Sequence, residues 1–183
     1  MASSLDDTLI GIYLNDHLAG AIVGTDLAKR LAAAERDRPG GQALARLADE
    51  IDEDQAALRD MMAALGVPVR RYKTVAAWAA EKLSRLKPNG RLLARSPLSA
   101  VLELEALRLG VEGKAAGWRT LRARAERDPR LDPDRLGELI DRAHRQIDEL
   151  ERLRVRTAAE VFGGEVEPVR GVPRPASGTS SAS

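Results

Sequence analysis

The chain has no cysteine, so disulfides, thiolate metal sites and cysteine nucleophiles are all excluded. Aromatic residues make up only 3% of it, which removes the side chains that favour strands and those that stack on single-stranded bases. The net charge of +1 gives no case for nucleic acid as a partner of the chain as a whole. Apolar runs such as residues 18–25 are far too short to cross a bilayer, so no transmembrane segment is expected. The opening "MASSLDDTL" lacks a basic stretch followed by an apolar one, so no secretory signal is expected either, and a cytoplasmic protein is the default.

What is present is Ala, Leu, Arg and Glu in abundance, residues that lose little on entering a helix. At 183 residues the chain suits one domain and a tail. Apolar periodicity near 3.6 predicts helix 1 over 5–36, carrying Leu9, Tyr13, Gly20, Gly24, Leu27 and Leu31 on one face, with His17 among them. Gly20 and Gly24 each cost roughly 1 kcal/mol of helix propensity against Ala, and close approach of a neighbouring helix would compensate. "RDRPGG" at 36–41 breaks the chain. Helix 2 follows over 42–65, burying Leu44, Leu47, Ala48, Ile51, Leu58, Met62 and Leu65, with Gly66 as its stop. In its acidic run at 49–54, Glu50 and Glu53 project away from that line, Asp54 falls at its edge, and Gln55 is central.

Residues 66–96 form a crossover of different character. Eight basic residues (Arg70, Arg71, Lys73, Lys82, Arg85, Lys87, Arg91 and Arg95) face Glu81 alone, a net of +7 that leaves −6 for the rest of the chain. A short amphipathic helix is expected at about 70–86, with Trp78 off its apolar line. A solvated basic face accounts for this segment on its own. The interaction reading takes Arg70, Arg71, Lys73 and Trp78 as contacts for an acidic protein surface or a second copy of the chain.

Helix 3 opens with Ser96 as cap and Pro97 at the first helical position, and runs to about Arg124. Two apolar lines flank Glu105 and Glu112: Leu98, Leu102, Leu109 and Ala116 on one side, Leu104, Val111, Ala115 and Trp118 on the other. Carboxylates in such an arc need a partner. Arg108, three residues after Glu105 and four before Glu112, can pair with both. "RDPRLDPD" at 127–134 breaks the chain, and Asp132 or Asp134 caps helix 4. Helix 4 buries Leu136, Leu139, Ile140, Ala143, Ile147, Leu150, Thr157 and Val161. Beyond 162 the Gly, Pro and Ser content predicts a disordered tail, 163–183.

Two antiparallel hairpins joined by one long crossover containing a short helix imply that helices 2 and 3 run in the same direction, because the crossover is long enough to retrace helix 2. An all-α four-helix bundle in that order resembles the ferritin-like superfamily over about residues 5–162. The segments "YLNDHLAGA" (13–21), "EIDED" (50–54) and "RSPLSAVLELEALRLGVEGK" (95–114) are similar to stretches of bacterial ferritin-like proteins that lack an assigned activity. The resemblance implies a mid-bundle metal site, which metal-binding members build from a Glu on each of two helices and a Glu-x-x-His pair on each of the others. At the matching positions this chain has Asp16 or His17, Glu50-x-x-Glu53, Glu105 with Glu112, and Asp141-x-x-His144.

Two function classes follow. The preferred one is a non-catalytic ferritin-like bundle without a cofactor, a binding or assembly module that is a candidate homo-oligomer. The alternative is a carboxylate/histidine site for iron or manganese, used in iron handling or oxidation, with His17, Glu105, Glu112 and His144 as ligands. Each of these residues also has a plain structural reading: His17 as a hydrogen-bonded core histidine, His144 in surface ion pairs with Asp141 and Asp148, and the two glutamates on Arg108. Whether the chain is an enzyme stays open.

Overall fold

A computed structural model describes residues 2–70 and 97–163, with side chains from 7–70 and 98–163. The expected crossover helix beyond Arg70, with Arg71, Lys73 and Trp78, and the tail from 164 onward lie outside the described residues. Four helices make up the described chain: α1 (Ala2–Ala34), α2 (Gly41–Ala64), α3 (Pro97–Ala125) and α4 (Pro133–Phe162), with no strand among the described residues.

The helix ends sit where local chemistry puts them. After α2, Gly66 takes a φ of 71°, and Val67 N–H donates to Met62 O at 2.8 Å, satisfying a terminal carbonyl. After α4, Gly163 does the same with a φ of 68°. Asp132 caps α4 by accepting from the N–H groups of Asp134 and Arg135, with Pro133 at the first helical position. The α3–α4 turn is braced by Asp128, which accepts from Arg130 Nη2 at 2.7 Å and Nε at 2.8 Å and from Arg124 Nε at 3.3 Å. Those hydrogen bonds, Arg130's above all, hold its carboxyl at about 2 instead of the usual 3.8.

Cross-helix pairs fix the directions. Asp7 meets Arg124 at 3.3 Å and Tyr13 Oη donates to Thr120 Oγ1 at 3.1 Å, so α1 and α3 are antiparallel. Lys29 pairs with Asp52 at 3.1 Å while Asn15, further back on α1, reaches Pro68 just past the end of α2 at 3.1 Å, so α1 and α2 are antiparallel too, and α2 and α3 point the same way. Asp60–Arg135 at 3.6 Å and Glu50–Gln146 at 3.0 Å run α4 against α2. Around the bundle the order is therefore α1, α2, α4, α3, with α3–α4 and α1–α2 packed closely and α2 nearest α4 at only a few positions. Asn15, buried in α1, holds the exit from α2: its Nδ2 donates to Pro68 O at 3.1 Å and its Oδ1 accepts from Arg70 N–H at 2.8 Å.

The core is aliphatic, with Leu14, Leu31, Met62, Leu121, Leu136 and Leu150 fully buried, each adding roughly 1.5–3 kcal/mol by leaving water. The buried lines expected for helices 2 and 4 are the observed ones, except that Thr157 and Val161 are only half-buried. Helix 3 differs. The line Leu104, Val111, Ala115 and Trp118 is buried, whereas Leu98 and Ala116 are exposed and Leu109 is 67% exposed. On helix 1 Leu9 is exposed, and the packed face runs through Leu14, Leu18, Ala28 and Leu31. Of the face first expected to pack, Leu27 and Leu31 are buried, whereas the stretch through Tyr13, His17, Gly20 and Gly24 borders open space.

Candidate functional site: an interhelical cavity with a buried ion cluster

That empty space is a cleft of about 660 Å³ between α1, α2 and α3, open to solvent, with Gly20, Gly110 and Gly113 exposed and Gly24 half-buried. Its existence follows from glycine placement. The α1–α3 register set by Tyr13 on Thr120 and His17 on Gly117 brings Gly20 level with Gly113 and Gly24 level with Gly110. A Cβ added at any of these four would meet nothing within 4 Å. The glycines therefore do not let two backbones touch, as close packing would require; they leave a gap. Gly117 alone is crowded, since a Cβ there would sit 3.0 Å from the His17 ring. Leu14, Leu27, Leu58, Leu107, Val111 and Leu121 give the cavity apolar walls.

One part of the wall is polar, and sequence reasoning missed it. Asp54 of α2 is 1% exposed and sits in a cluster drawn from three helices. Its Oδ1 accepts from Arg142 Nη2 and its Oδ2 from Lys114 Nζ, with a further bond from Gln146 Nε2 at 3.2 Å. Lys114 Nζ also donates to Gln146 Oε1 at 2.6 Å, Gln146 Nε2 to Glu50 Oε2 at 3.0 Å, and Arg142 Nη1 to exposed Glu53 at 2.7 Å. Burying a carboxylate is tolerable only with this degree of pairing. Projection of helix 2 alone put Asp54 at the edge of the apolar line because its partners lie on α3 and α4. The available signal was a lone lysine, Lys114, amid the helix 3 glycines.

Both Asp54 and Lys114 line the cavity, as do His17 and Trp118. Burial pushes the Lys114 ammonium pKa below its usual 10.5, with Asp54 pulling the other way. Burial likewise lowers the His17 imidazole below 6.5, against the opposing pull of Asp16. His17 packs on Tyr13 with ring centroids 4.4 Å apart. Trp118 keeps its indole N–H buried with no acceptor among the described residues.

The four residues considered as metal ligands are not brought together. Glu105 lies 3.7 Å from Arg154 and Glu112 3.8 Å from Arg108, each carboxylate nearly half exposed on the outer side of α3. Arg108 thus pairs with Glu112 and, at 3.3 Å, with Glu151 of α4 instead of with Glu105. His17 faces the cavity, while His144 is exposed with Nε2 3.1 Å from Arg119. Among the described residues no group of three or more His, Asp or Glu side chains could hold a metal ion. A divalent cation beside Glu105 or Glu112 would also face a guanidinium, so these donors do not fit the centre that the resemblance implies. Of the interaction candidates, Arg70 is exposed, its backbone tied to Asn15. No helix of the described chain is long and apolar enough to cross a membrane. Compared with known family models, curated proteins and solved structures, the chain matches none.

Proposed function

We propose that the chain is a non-catalytic bundle of ferritin-like topology that works as a binding module, taking a small, largely apolar molecule into the cavity between α1 and α3. The ferritin-like reading is supported by α2 and α3 running in the same direction, with one long connection between two hairpins. The observation that carries the binding reading is the cavity itself: about 660 Å³, within the range of small-molecule sites, apolar over most of its wall, with a few polar groups at one place. Glycine in a helix interior costs roughly 0.5–1 kcal/mol against Ala, so four glycines facing a void are a standing loss of stability that packing does not return.

Titration with Nile red, a neutral apolar dye that brightens in apolar surroundings, tests this. One saturable site is expected, lost in Gly20→Leu and Gly113→Leu, whose side chains fill the gap. Leu is a strong helix former, so both variants should be at least as stable as the parent. Dye binding unchanged in both would refute the reading.

A further inference from the structure

We infer that the chain forms a two-fold dimer through the outer face of α3, with the same helix of a second copy lying antiparallel on it. The inference goes beyond the binding function proposed above and does not rest on it. The residues that decide it, Leu102, Glu105, Leu109, Ala116 and Arg119, do not line the cleft.

Of the two apolar lines on α3, the bundle buries only one. The other runs through Leu102, Ala106, Leu109, Gly113, Ala116 and Thr120, alternating steps of four and three, the spacing by which one helix lies along another. No charged side chain interrupts it. Leu109, Gly113, Ala116 and Thr120 are exposed, and Leu102 and Ala106 are half-buried. Leu98 is exposed at one end of the line, and at the other, one turn before Tyr13 on Thr120, so is Leu9 of α1. Contiguous apolar surface of this kind marks an interaction site on a folded chain. The 29 residues of α3 run roughly 43 Å, and with α1 beside it the face is roughly 20 Å wide. That gives about 800 Å² per copy, the area of a standard stable interface.

Size and charge make a second copy the fitting partner. The large residues, Leu98, Leu102 and Leu109, lie in the N-terminal half of α3, and the small ones, Gly113, Ala116 and Thr120, in the C-terminal half. Antiparallel pairing about a two-fold axis between the levels of Leu109 and Gly113 lays each half on the other, so every contact occurs twice. Leu109 then meets Gly113 of the second copy, Ala106 meets Ala116, and Leu102 meets Thr120. There is room for Leu109, because a Cβ at Gly113 would have nothing within 4 Å. On the α4 side of the line stand Glu105, Glu112 and Arg119, one heptad apart, with Glu105 near Arg154 and Arg119 near His144. The same register sets Glu105 against Arg119 of the second copy on both sides of the axis, which favours this pairing over others. Glu112 meets its own copy near the axis, each beside an Arg108 at 3.8 Å. A parallel pairing would instead oppose like charges along the whole flank and stack glycine on glycine.

Light scattering on the full chain at about 10 μM should give twice the monomer mass. Leu109→Glu changes a side chain that is 67% exposed, so helix content by circular dichroism should hold. Its dimer should dissociate about a hundredfold more readily, because two buried leucines are lost per dimer. Ala116→Glu, in the other half of the line, should act in the same direction and serves if the first variant fails to fold. The register has its own test. Arg119→Glu should weaken the dimer, and adding Glu105→Arg should restore it, since each exchanged residue again meets an opposite charge. A parent protein that stays monomeric up to about 100 μM would overturn the inference and leave residues 71–96 or another protein to cover the face. A dimer that survives both Leu109→Glu and Ala116→Glu would overturn it too, as would an exchanged pair no tighter than Arg119→Glu alone. None of these changes touches the cleft lining, so dye titration of the same variants reports on the binding reading separately.

Discussion

The two seams of this bundle that lie outside its hairpins are treated in opposite ways. Where α2 faces α4, the gap is bridged by charge: Asp54, Arg142, Gln146 and Glu50 join across it, and Lys114 reaches in from α3. Where α1 faces α3, four glycines hold a gap open. The first seam is directional, because hydrogen-bonded ions tolerate one register, and it fixes how the two hairpins sit together. The second gives up helix propensity and contact for empty volume. Stability sacrificed at one place, beside a seam secured at another, is the pattern expected where function needs a vacancy.

The sharpest way to break this comparison is to remove its anchor. Asp54→Ala leaves Lys114 and Arg142 without their buried counter-ion, and urea unfolding should show a loss of about 3–5 kcal/mol. The paired change Asp54→Leu with Lys114→Met replaces the ion pair by apolar side chains and should recover most of that loss, since Arg142 keeps Glu53. If the double variant is as unstable as Asp54→Ala, the cluster acts through something other than its charges.

The opposite seam should respond with the opposite sign. Gly20→Ala and Gly110→Ala add a methyl where nothing stands within 4 Å, so each should raise stability by about 0.5–1 kcal/mol. Gly117→Ala, whose Cβ would press on His17 at 3.0 Å, should instead lower it by about 1 kcal/mol. Thermal melts of the three variants decide it. Destabilisation by Gly20→Ala would mean that α1 and α3 close on each other in solution.

How far the sequence could carry this comparison differs between the seams. Helix ends were legible because glycine and aspartate act locally: Gly66 takes a positive φ after α2, and Asp132, one of the two candidates with Asp134, is the cap of α4. The buried lines of α2 and α4 were legible because each helix has a single apolar line. Helix 3 has two of similar strength, and periodicity alone could not say that Leu104 and Val111 face inward while Leu98 and Leu109 face out. Taking the space between those lines as buried made Glu105 and Glu112 look anomalous, when each lies nearly half exposed beside an arginine. Gly20 and Gly24 were readable as a departure from helix propensity, but a void and a tight contact leave the same mark on one strand of sequence. Only the register of α1 on α3 distinguishes them, and register is set by pairs far apart in the chain, such as Tyr13 with Thr120. The same holds for Asp54, whose partners are 60 and 88 positions away.

The smallest expected effect sharpens the open seam by pH. Burial at the cavity edge holds the His17 imidazole pKa below 6.5, while Asp16 on the next position raises it in part. In the window between the folded value and 6.5, the unfolded chain binds more protons than the folded one, so stability rises with pH there and is lost as pH falls. Urea midpoints measured at pH 7.5 and 5.5 should therefore fall on acidification, and fall less in His17→Gln, which keeps a polar side chain but has no charge to gain. An equal fall in both would place the imidazole in free contact with water, as it would be if the gap beside Gly117 were wide enough to hydrate the ring fully.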